Sequence, residues 1–142
     1  MPSKIGRGVV VWKSTNLFEF NVNSVLGRLG KAIEVKNEQY IDMATAISGS
    51  GPAYVYLFEE LLVSAAKSIG LPENLAQELV TETFAGAVAI QKESNPQKLR
   101  EKVTSKDGTT FAAIKVFKEN NLAQIFQLAV KKAYERSQKL ND

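Results

Sequence analysis

Regularly spaced apolar residues, which continue from Tyr40 to the end of the chain, constrain the fold of this sequence more than any other feature. Between Tyr54 and Ile69 they recur at helical spacing, and the same spacing returns from Glu73 to Lys92 and from Leu122 to Leu140. Gly70-Leu71-Pro72 separates the first two helices, and Pro72 is well placed in the first turn of the second of them. These patterns predict a mainly helical domain.

Shorter elements fill the region between the second and last of these helices. Asn95-Pro96 has the form of an N-cap followed by Pro and opens a short helix toward Val103. Thr104 to Gly108 is a polar turn, and a further helix follows it until Asn120-Asn121. One apolar stripe on that helix contains Thr110, Ala113, Ile114 and Phe117.

The residues before Tyr40 have a different pattern, which indicates short strands. Gly8 to Trp12 and Lys31 to Lys36 are rich in β-branched residues, and Leu17 to Leu29 between them fits a helix. A single βαβ unit cannot bury both of its faces. We therefore predict that residues 1–39 are the end of a larger parallel sheet and that residues 40–142 form the helical domain.

The helical part is rich in small as well as large apolar residues. Ala85, Gly86, Ala87 and Ala89 would let another backbone approach closely. Apolar stripes of this length need partners, so the pattern favours an intertwined dimer, with a monomeric bundle as the alternative.

Two residue types are missing from the sequence, and their absence limits the chemistry. Without cysteine there is no disulfide framework, thiolate nucleophile or Cys-ligated zinc. Without histidine there is no Ser-His-Asp or Cys-His arrangement, and we expect no metal site. No apolar run is long enough to span a bilayer, and the start lacks the pattern of a signal peptide. We expect a soluble cytoplasmic protein without membrane contact.

The net charge of +3 leaves a nucleic-acid-binding role as a weaker interpretation. Basic residues mostly alternate with acids, and only Lys131-Lys132 and Arg136 to Lys139 are locally basic. This pattern is more typical of a solvated helix face than of a phosphate-binding patch. The small positive excess would suit a small anionic substrate.

The first segment that could carry chemistry runs from Ser48 to Tyr54 and reads Ser-Gly-Ser-Gly-Pro-Ala-Tyr. It is not a dinucleotide loop, because Tyr54 replaces the third glycine and no clear strand precedes it. A helix break at Pro52 is the structural interpretation. In the functional interpretation, the break brings Ser48, Gly49 and Ser50 close to a bound cofactor or substrate.

The second segment runs from Val103 to Thr110 and leads from a polar turn into a helix. The free amides of Gly108, Thr109 and Thr110 would point at one spot, where a carboxylate or phosphate could bind. Alternatively, Asp107 caps the helix and the threonines satisfy local donors. The residues alone leave both interpretations open.

The two segments together resemble the signature of pyrroline-5-carboxylate reductases. The resemblance includes Asp42 to Tyr54, Gly70-Leu71-Pro72 and Val103-Thr104-Ser105-x-x-Gly108-Thr109-Thr110, in the family's order and spacing. It covers nearly the whole chain, and even Met1-Pro2-Ser3 resembles a segment late in the family's N-terminal domain.

The resemblance implies a fold, a reaction and partners. Family members join an N-terminal Rossmann domain to a helical domain that interlocks into a homodimer, often within larger oligomers. They reduce 1-pyrroline-5-carboxylate to L-proline with NADPH or NADH. Residues 1–39 would then be the remnant of a Rossmann-like domain, and residues 40–142 the substrate-binding and dimerisation domain.

The resemblance also implies residue roles. Ser105, Gly108, Thr109 and Thr110 match the family's substrate-carboxylate loop, and Thr110 matches a threonine near the substrate's ring nitrogen. We therefore expect Thr110 to be the catalytic residue. Glu93 matches a glutamate near the same loop, although a solvated charge at a helix end is the plainer interpretation.

Two departures from the family pattern affect these expectations. Lys106-Asp107 replaces the family's Pro-Gly, which puts a negative charge beside a site for an anion unless Lys106 offsets it. No Gly-x-Gly-x-x-Gly occurs, so the main cofactor site is expected outside this chain, on a separate Rossmann-domain partner. An engineered fragment, a split gene and a decayed gene all stay open, and so does a non-enzymatic helical dimer with at most weak proline-like ligand binding.

Overall fold

A computed structural model describes residues 1–14, 21–91 and 94–141. The strands are β1 (Gly8–Trp12) and β2 (Gly30–Glu34), and the helices are α1 (Val22–Leu26), α2 (Gln39–Ala44), α3 (Gly51–Ser68), α4 (Glu73–Ile90), α5 (Pro96–Lys102), α6 (Thr109–Glu119) and α7 (Leu122–Asn141). A π-helical turn (Thr45–Gly49) lies between α2 and α3. The prediction of a mainly helical fold with a short βαβ start is confirmed.

The chain divides into two compact units. The first contains residues 1–55 and 126–142, and the second contains residues 56–125. Helix α3 begins in the first unit and ends in the second, whereas α7 begins in the second and ends in the first. The predicted domain boundary between residues 39 and 40 stays a prediction.

In the first unit, β1 and β2 pair in parallel with Gly8 opposite Gly30. The predicted strand Gly8 to Trp12 is confirmed, while β2 begins one residue before the predicted Lys31 and ends before Lys36. Helix α1 and a 3₁₀ turn (Gly27–Leu29) occupy the second half of the predicted helix. The part of that prediction on residues 15–20 lies outside the described residues.

Glycine is required where the two strands begin. A Cβ on Gly30 would collide with the backbone of Gly8, and Gly30 has a φ of 138° that side-chain-bearing residues rarely adopt. A Cβ on Gly8 would in turn meet the side chain of Ser3 and the carbonyl of Leu29. Backbone therefore packs directly on backbone at this end of the sheet.

The helix boundaries follow the predicted signals. Asn95 caps α5 by accepting hydrogen bonds from the amides of Gln97 and Lys98, at 2.8 and 3.2 Å. Pro72 directly precedes α4, after a turn in which Gly70 has a φ of 99°. The predicted end of α4 at Lys92 lies just beyond the described residues.

Few apolar side chains are fully buried in the described parts of the chain. Across residues 1–14, 21–91 and 94–141, the buried apolar side chains are Ala46, Ala76 and Val80. Large apolar side chains are exposed on several helices, for example Leu61 (54%), Val88 (62%) and Leu128 (59%). Burying one such side chain contributes about 1.5–3 kcal/mol. A single chain therefore does not gain this stabilisation from the side chains that stay exposed.

Polar contacts hold the C-terminal half of α7 against α2 in the first unit. Ser137, 7% exposed, donates a hydrogen bond to Asp42 at 2.8 Å. Gln39 and Gln138 both donate to the hydroxyl of Tyr134, at 3.2 and 3.1 Å. The bonds from Ser137 and Gln39 both join residues 95 positions apart in the sequence, so they hold the C-terminal half of α7 against α2.

The basic residues of α7 are exposed, as a solvated helix face would be. Lys132 pairs with Glu135 at 2.8 Å, and this hydrogen bond lowers the pKa of the Glu135 carboxyl. Within the described ranges, no helix has the length and apolar character needed to cross a membrane.

Substituting Gly30 tests the backbone contact between the strands. Gly30→Ala should lower the free energy of unfolding by about 2–4 kcal/mol, because the new Cβ meets backbone that cannot move aside and the φ is strained. Gly27→Ala is the matched control, since φ there is −59° and nothing lies within 4 Å. It should be neutral or stabilising by up to about 1 kcal/mol in the same urea denaturation. Equal losses for both variants would contradict the proposed contact.

Candidate functional site

The segment from Ser48 to Tyr54 contains the predicted helix break, in the form of the π-helical turn. The amide of Ser50 donates to the carbonyl of Thr45 at 2.9 Å, five residues back instead of four. Pro52, two residues further on, has no amide to continue the helical pattern. The turn therefore ends one hydrogen-bond register, and α3 starts a new one.

Three side-chain hydroxyls donate hydrogen bonds to backbone carbonyls in and before this turn. Thr45 donates to the carbonyl of Ile41 and Ser48 to that of Ala44, both at 2.9 Å. The Tyr54 hydroxyl donates to the carbonyl of Ala46 at 3.1 Å. An α-helix would have paired that carbonyl with the amide of Ser50, which the π-helical turn diverts to Thr45. Tyr54 thus satisfies an acceptor that the irregular backbone leaves open.

Ser48, Gly49 and Ser50, the predicted cofactor contacts, all lie in or directly after this turn. The hydroxyl of Ser48 is already bonded to backbone, and a Cβ on Gly49 would make ordinary contact with Thr45 at 3.6 Å. Glycine is therefore not sterically required at position 49. The assignment of these three residues to a cofactor stays a prediction.

The second unit contains the loop from Ser105 to Thr110, which is predicted to bind a substrate and which we call the substrate loop on that account. Its backbone turns at Asp107, which has a φ of 60°, and Gly108 then forms the N-cap of α6. The first hydrogen bond of the helix runs from the amide of Ala112 to the carbonyl of Gly108 at 3.1 Å. The amides of Thr109 and Thr110 precede this bond and have no helical carbonyl to pair with.

The structure contradicts one detail of each of the two interpretations of this loop. Asp107 does not cap α6, because Gly108 occupies the N-cap position and no side-chain cap bond is formed there. The amide of Gly108 is not free, since it donates to the carbonyl of Ser105 at 3.2 Å. The turn itself therefore uses the Gly108 amide. Of the three amides predicted to bind an anion, those of Thr109 and Thr110 have no helical carbonyl partner.

Ser105 and Gly108 are brought together at the start of α6. A Cβ on Gly108 would collide with the Ser105 hydroxyl oxygen. Glycine at position 108 therefore lets the serine hydroxyl lie against the helix N-terminus. Thr110 is half-buried, whereas Ser105 and Thr109 are exposed. Glu93, the remaining predicted substrate contact, lies outside the described residues.

A groove that the sequence analysis missed adjoins the substrate loop. It has a volume of about 550 Å³ between α5 and α6, and its lining includes Thr104 and Phe111, which flank the loop in sequence. Its charged lining is mixed and consists of Arg100, Glu101, Lys115, Lys118 and Glu119. Their spacing on α5 and α6 is the only signal in the sequence, and it is indistinguishable from an ordinary solvated face.

Comparison with known proteins agrees with this architecture. Residues 38–140 match the family described as pyrroline-5-carboxylate reductase dimerisation. A pyrroline-5-carboxylate reductase from Pseudomonas aeruginosa is 39% identical over 82% of this chain and 43% of its own length. A Synechocystis relative of the same name is 34% identical over 98% of this chain and 54% of its own length. The chain thus spans about half the length of the curated relatives it matches.

Solved structures share nearly the whole fold. The Coxiella burnetii pyrroline-5-carboxylate reductase has a TM-score of 0.90 and 34% identity, over 99% of this chain and 54% of that one. The Plasmodium falciparum pyrroline carboxylate reductase, solved with NADP bound, has a TM-score of 0.89 and 33% identity, over 99% and 59%.

The fold and these matches define the class of protein: a mainly helical domain preceded by a short parallel sheet. The chain belongs to the pyrroline-5-carboxylate reductase family, through the family's dimerisation domain.

Removing one hydroxyl tests the role of Tyr54 in the π-helical turn. Tyr54→Phe should lower the free energy of unfolding by about 1–2 kcal/mol, because the half-buried carbonyl of Ala46 loses its donor. Tyr56→Phe, on the same helix but 55% exposed, is the control and should change stability by less than about 0.5 kcal/mol. Indistinguishable denaturation midpoints for the two variants would rule out the bond's contribution.

Proposed function

We propose that this chain supplies the substrate loop and the dimer contacts of a pyrroline-5-carboxylate reductase, which reduces 1-pyrroline-5-carboxylate to L-proline with NADPH or NADH. The observation that carries the proposal is the geometry of the substrate loop. Gly108 allows the Ser105 hydroxyl to lie beside a helix N-terminus whose Thr109 and Thr110 amides lack helical partners. Such a terminus favours a carboxylate, which the substrate carries.

The roles of the loop residues follow from this placement. Ser105 and the amides of Thr109 and Thr110 would bind the carboxylate and so fix the orientation of the ring. The hydroxyl of Thr110 would donate a hydrogen bond to the ring nitrogen as it gains electron density. Neither role needs a histidine, and the sequence contains none. Glu93 would lie close to this ring as a further substrate contact.

The cofactor would supply the hydride that reduces the C=N bond. Ser48, Gly49 and Ser50 fit a peripheral contact with it, since they form a short polar turn, but the sequence lacks the glycine-rich loop that binds a dinucleotide diphosphate. We therefore assign the main cofactor site to a Rossmann domain that works together with this chain. The two-stranded parallel sheet supports this assignment, because parallel sheets are normally larger and covered on both faces.

A homodimer forms the second part of the proposal. The exposed apolar side chains of α3, α4 and α7 lie in the segment that matches the dimerisation family, and a second copy would bury them. Assembly of dimers into larger oligomers is compatible with this arrangement. The sequence has no cysteine and needs no disulfide, in keeping with a cytoplasmic location.

A non-enzymatic helical dimer is the alternative, and Asp107 is the observation that favours it. Its carboxylate stands one residue before the N-cap of the proposed substrate loop and would oppose an anionic ligand. In this case the chain would retain the fold and at most bind a proline-like ligand weakly.

Reconstitution separates the two functions. The purified chain should show no turnover alone, and NAD(P)H-dependent reduction of 1-pyrroline-5-carboxylate should appear when a family Rossmann domain is added as a second polypeptide. Absorbance of the reduced nicotinamide reports the rate. If light scattering shows that the two polypeptides assemble and the complex stays inactive, the enzymatic proposal is wrong and the non-enzymatic dimer is favoured.

Thr110→Val tests the proposed hydrogen bond to the ring nitrogen in the reconstituted enzyme. Loss of a hydroxyl that acts in the transition state should reduce kcat by about 10–100-fold. Thr83→Val is the control, because the Thr83 hydroxyl bonds within α4, to the carbonyl of Leu79. Wild-type kcat for Thr110→Val would remove Thr110 from the mechanism.

Sedimentation equilibrium of the chain alone tests the dimer. The expected mass is twice the 15.6 kDa of one chain, because the exposed apolar faces need cover. Leu61→Glu should shift the equilibrium toward monomer, whereas Glu60→Gln, an exposed neighbour on the same helix, should leave it unchanged. A wild-type chain that stays monomeric at micromolar concentration would contradict the dimer.

A further inference from the structure

The structure assigns a second role within the substrate loop, and this inference rests on the proposed function. We propose that Asp107 is a specificity-determining residue, whose fixed negative charge weakens anion binding at the loop and weakens it most for ligands with two negative charges. The loop would then favour a monocarboxylate over a dianion such as phosphate.

The backbone places Asp107 where its charge acts on the ligand. It lies directly before the N-cap Gly108, in the left-handed conformation with a φ of 60°. Asp and Asn are the side-chain-bearing residues that adopt this conformation most readily. Because the turn is closed by the bond from the Gly108 amide to the Ser105 carbonyl, the backbone of Asp107 is held two residues before Thr109 and three before Thr110.

Nothing observed in the described parts of the chain neutralises this carboxylate. Gly108 and not Asp107 occupies the N-cap of α6, and among the ion pairs found between described residues none involves Asp107 or Lys106. Both residues are exposed. The ammonium group of Lys106 stands at the end of a flexible four-carbon stem, whereas the carboxylate of Asp107 is attached directly to Cβ. The electrostatic field of the Asp107 carboxylate at the loop amides is therefore better defined than that of the Lys106 ammonium group.

The size of the effect follows from Coulomb's law. One negative charge about 7 Å from a monoanion in water weakens its binding about threefold. The energy scales with the ligand's charge, so the same residue weakens a dianion about ninefold. A helix N-terminus without Asp107 accepts carboxylate and phosphate alike. Asp107 would thus add discrimination between two anions that the backbone amides alone do not separate.

Asp107→Asn gives the sharpest test, because Asn keeps the shape and the left-handed conformation while removing the charge. The 142-residue chain would be titrated with acetate and with inorganic phosphate at mildly alkaline pH and constant ionic strength. The amide resonances of Thr109 and Thr110 report binding at the loop. We expect the dissociation constant to fall about threefold for acetate and about ninefold for phosphate, with both differences shrinking in high salt.

Three further variants separate the local charge of Asp107 from its side-chain shape and from the net charge of the chain. Asp107→Gly removes the charge together with Cβ and should match Asp107→Asn if charge is the cause. Lys106→Gln should act in the opposite direction and more weakly. Glu78→Gln makes the same change in net charge on α4 and should leave both dissociation constants unchanged.

Each outcome decides the proposal. Unchanged dissociation constants in Asp107→Asn, an equal factor for both anions, or no anion binding in either protein would overturn it. Failure of the proposed enzyme is a separate result, because reconstituted complexes can be inactive while the acetate and phosphate factors still differ as expected. In an active complex, the same substitution should lower KM about threefold and leave kcat unchanged.

Discussion

Within the described ranges, few apolar side chains of the helices are fully buried, and many large ones stay exposed. Among the described residues, the fully buried apolar side chains are Ala46, Ala76 and Val80, a small set with which to offset the conformational entropy of ordering a chain of this length. The fully buried positions hold small or medium-sized side chains, whereas many of the large ones are exposed. We expect a second copy of the chain to cover the exposed apolar side chains, because residues 38–140 match the dimerisation family.

Individual polar contacts fix several local features of the chain. The hydroxyl of Tyr54 completes the π-helical turn, and Ser137 with Asp42 fixes α7 against α2. The substrate loop likewise relies on one backbone hydrogen bond and on the contact between Ser105 and Gly108. Because such contacts are directional, they hold single groups in place without a large packed interior.

Much of this architecture follows from local signals in the sequence. The capped start of α5 at Asn95, the turn before α6 and the strand Gly8 to Trp12 all depend on neighbouring residues, and all were predictable. The π-helical turn was predictable only as a break, because its register depends on the contact of Tyr54 with Ala46 eight residues earlier. The sequence leaves the cap of α6 open, because Asp107 has the right residue type, and only the structure shows its left-handed backbone and Gly108 at the N-cap.

The approach of Gly8 and Gly30 has a consequence for how the two strands can pair. Side chains alternate between the faces of a sheet, so sliding β2 by one residue would turn every side chain of the strand to the opposite face. At the observed alignment the backbones touch at a point where only hydrogen fits. Sliding β2 by one residue either way would put the Cβ of Leu29 or Lys31 opposite Gly8. The close approach of the two glycines therefore excludes the neighbouring registers of β2 against β1. In a sheet this short, backbone hydrogen bonds alone would not select one register.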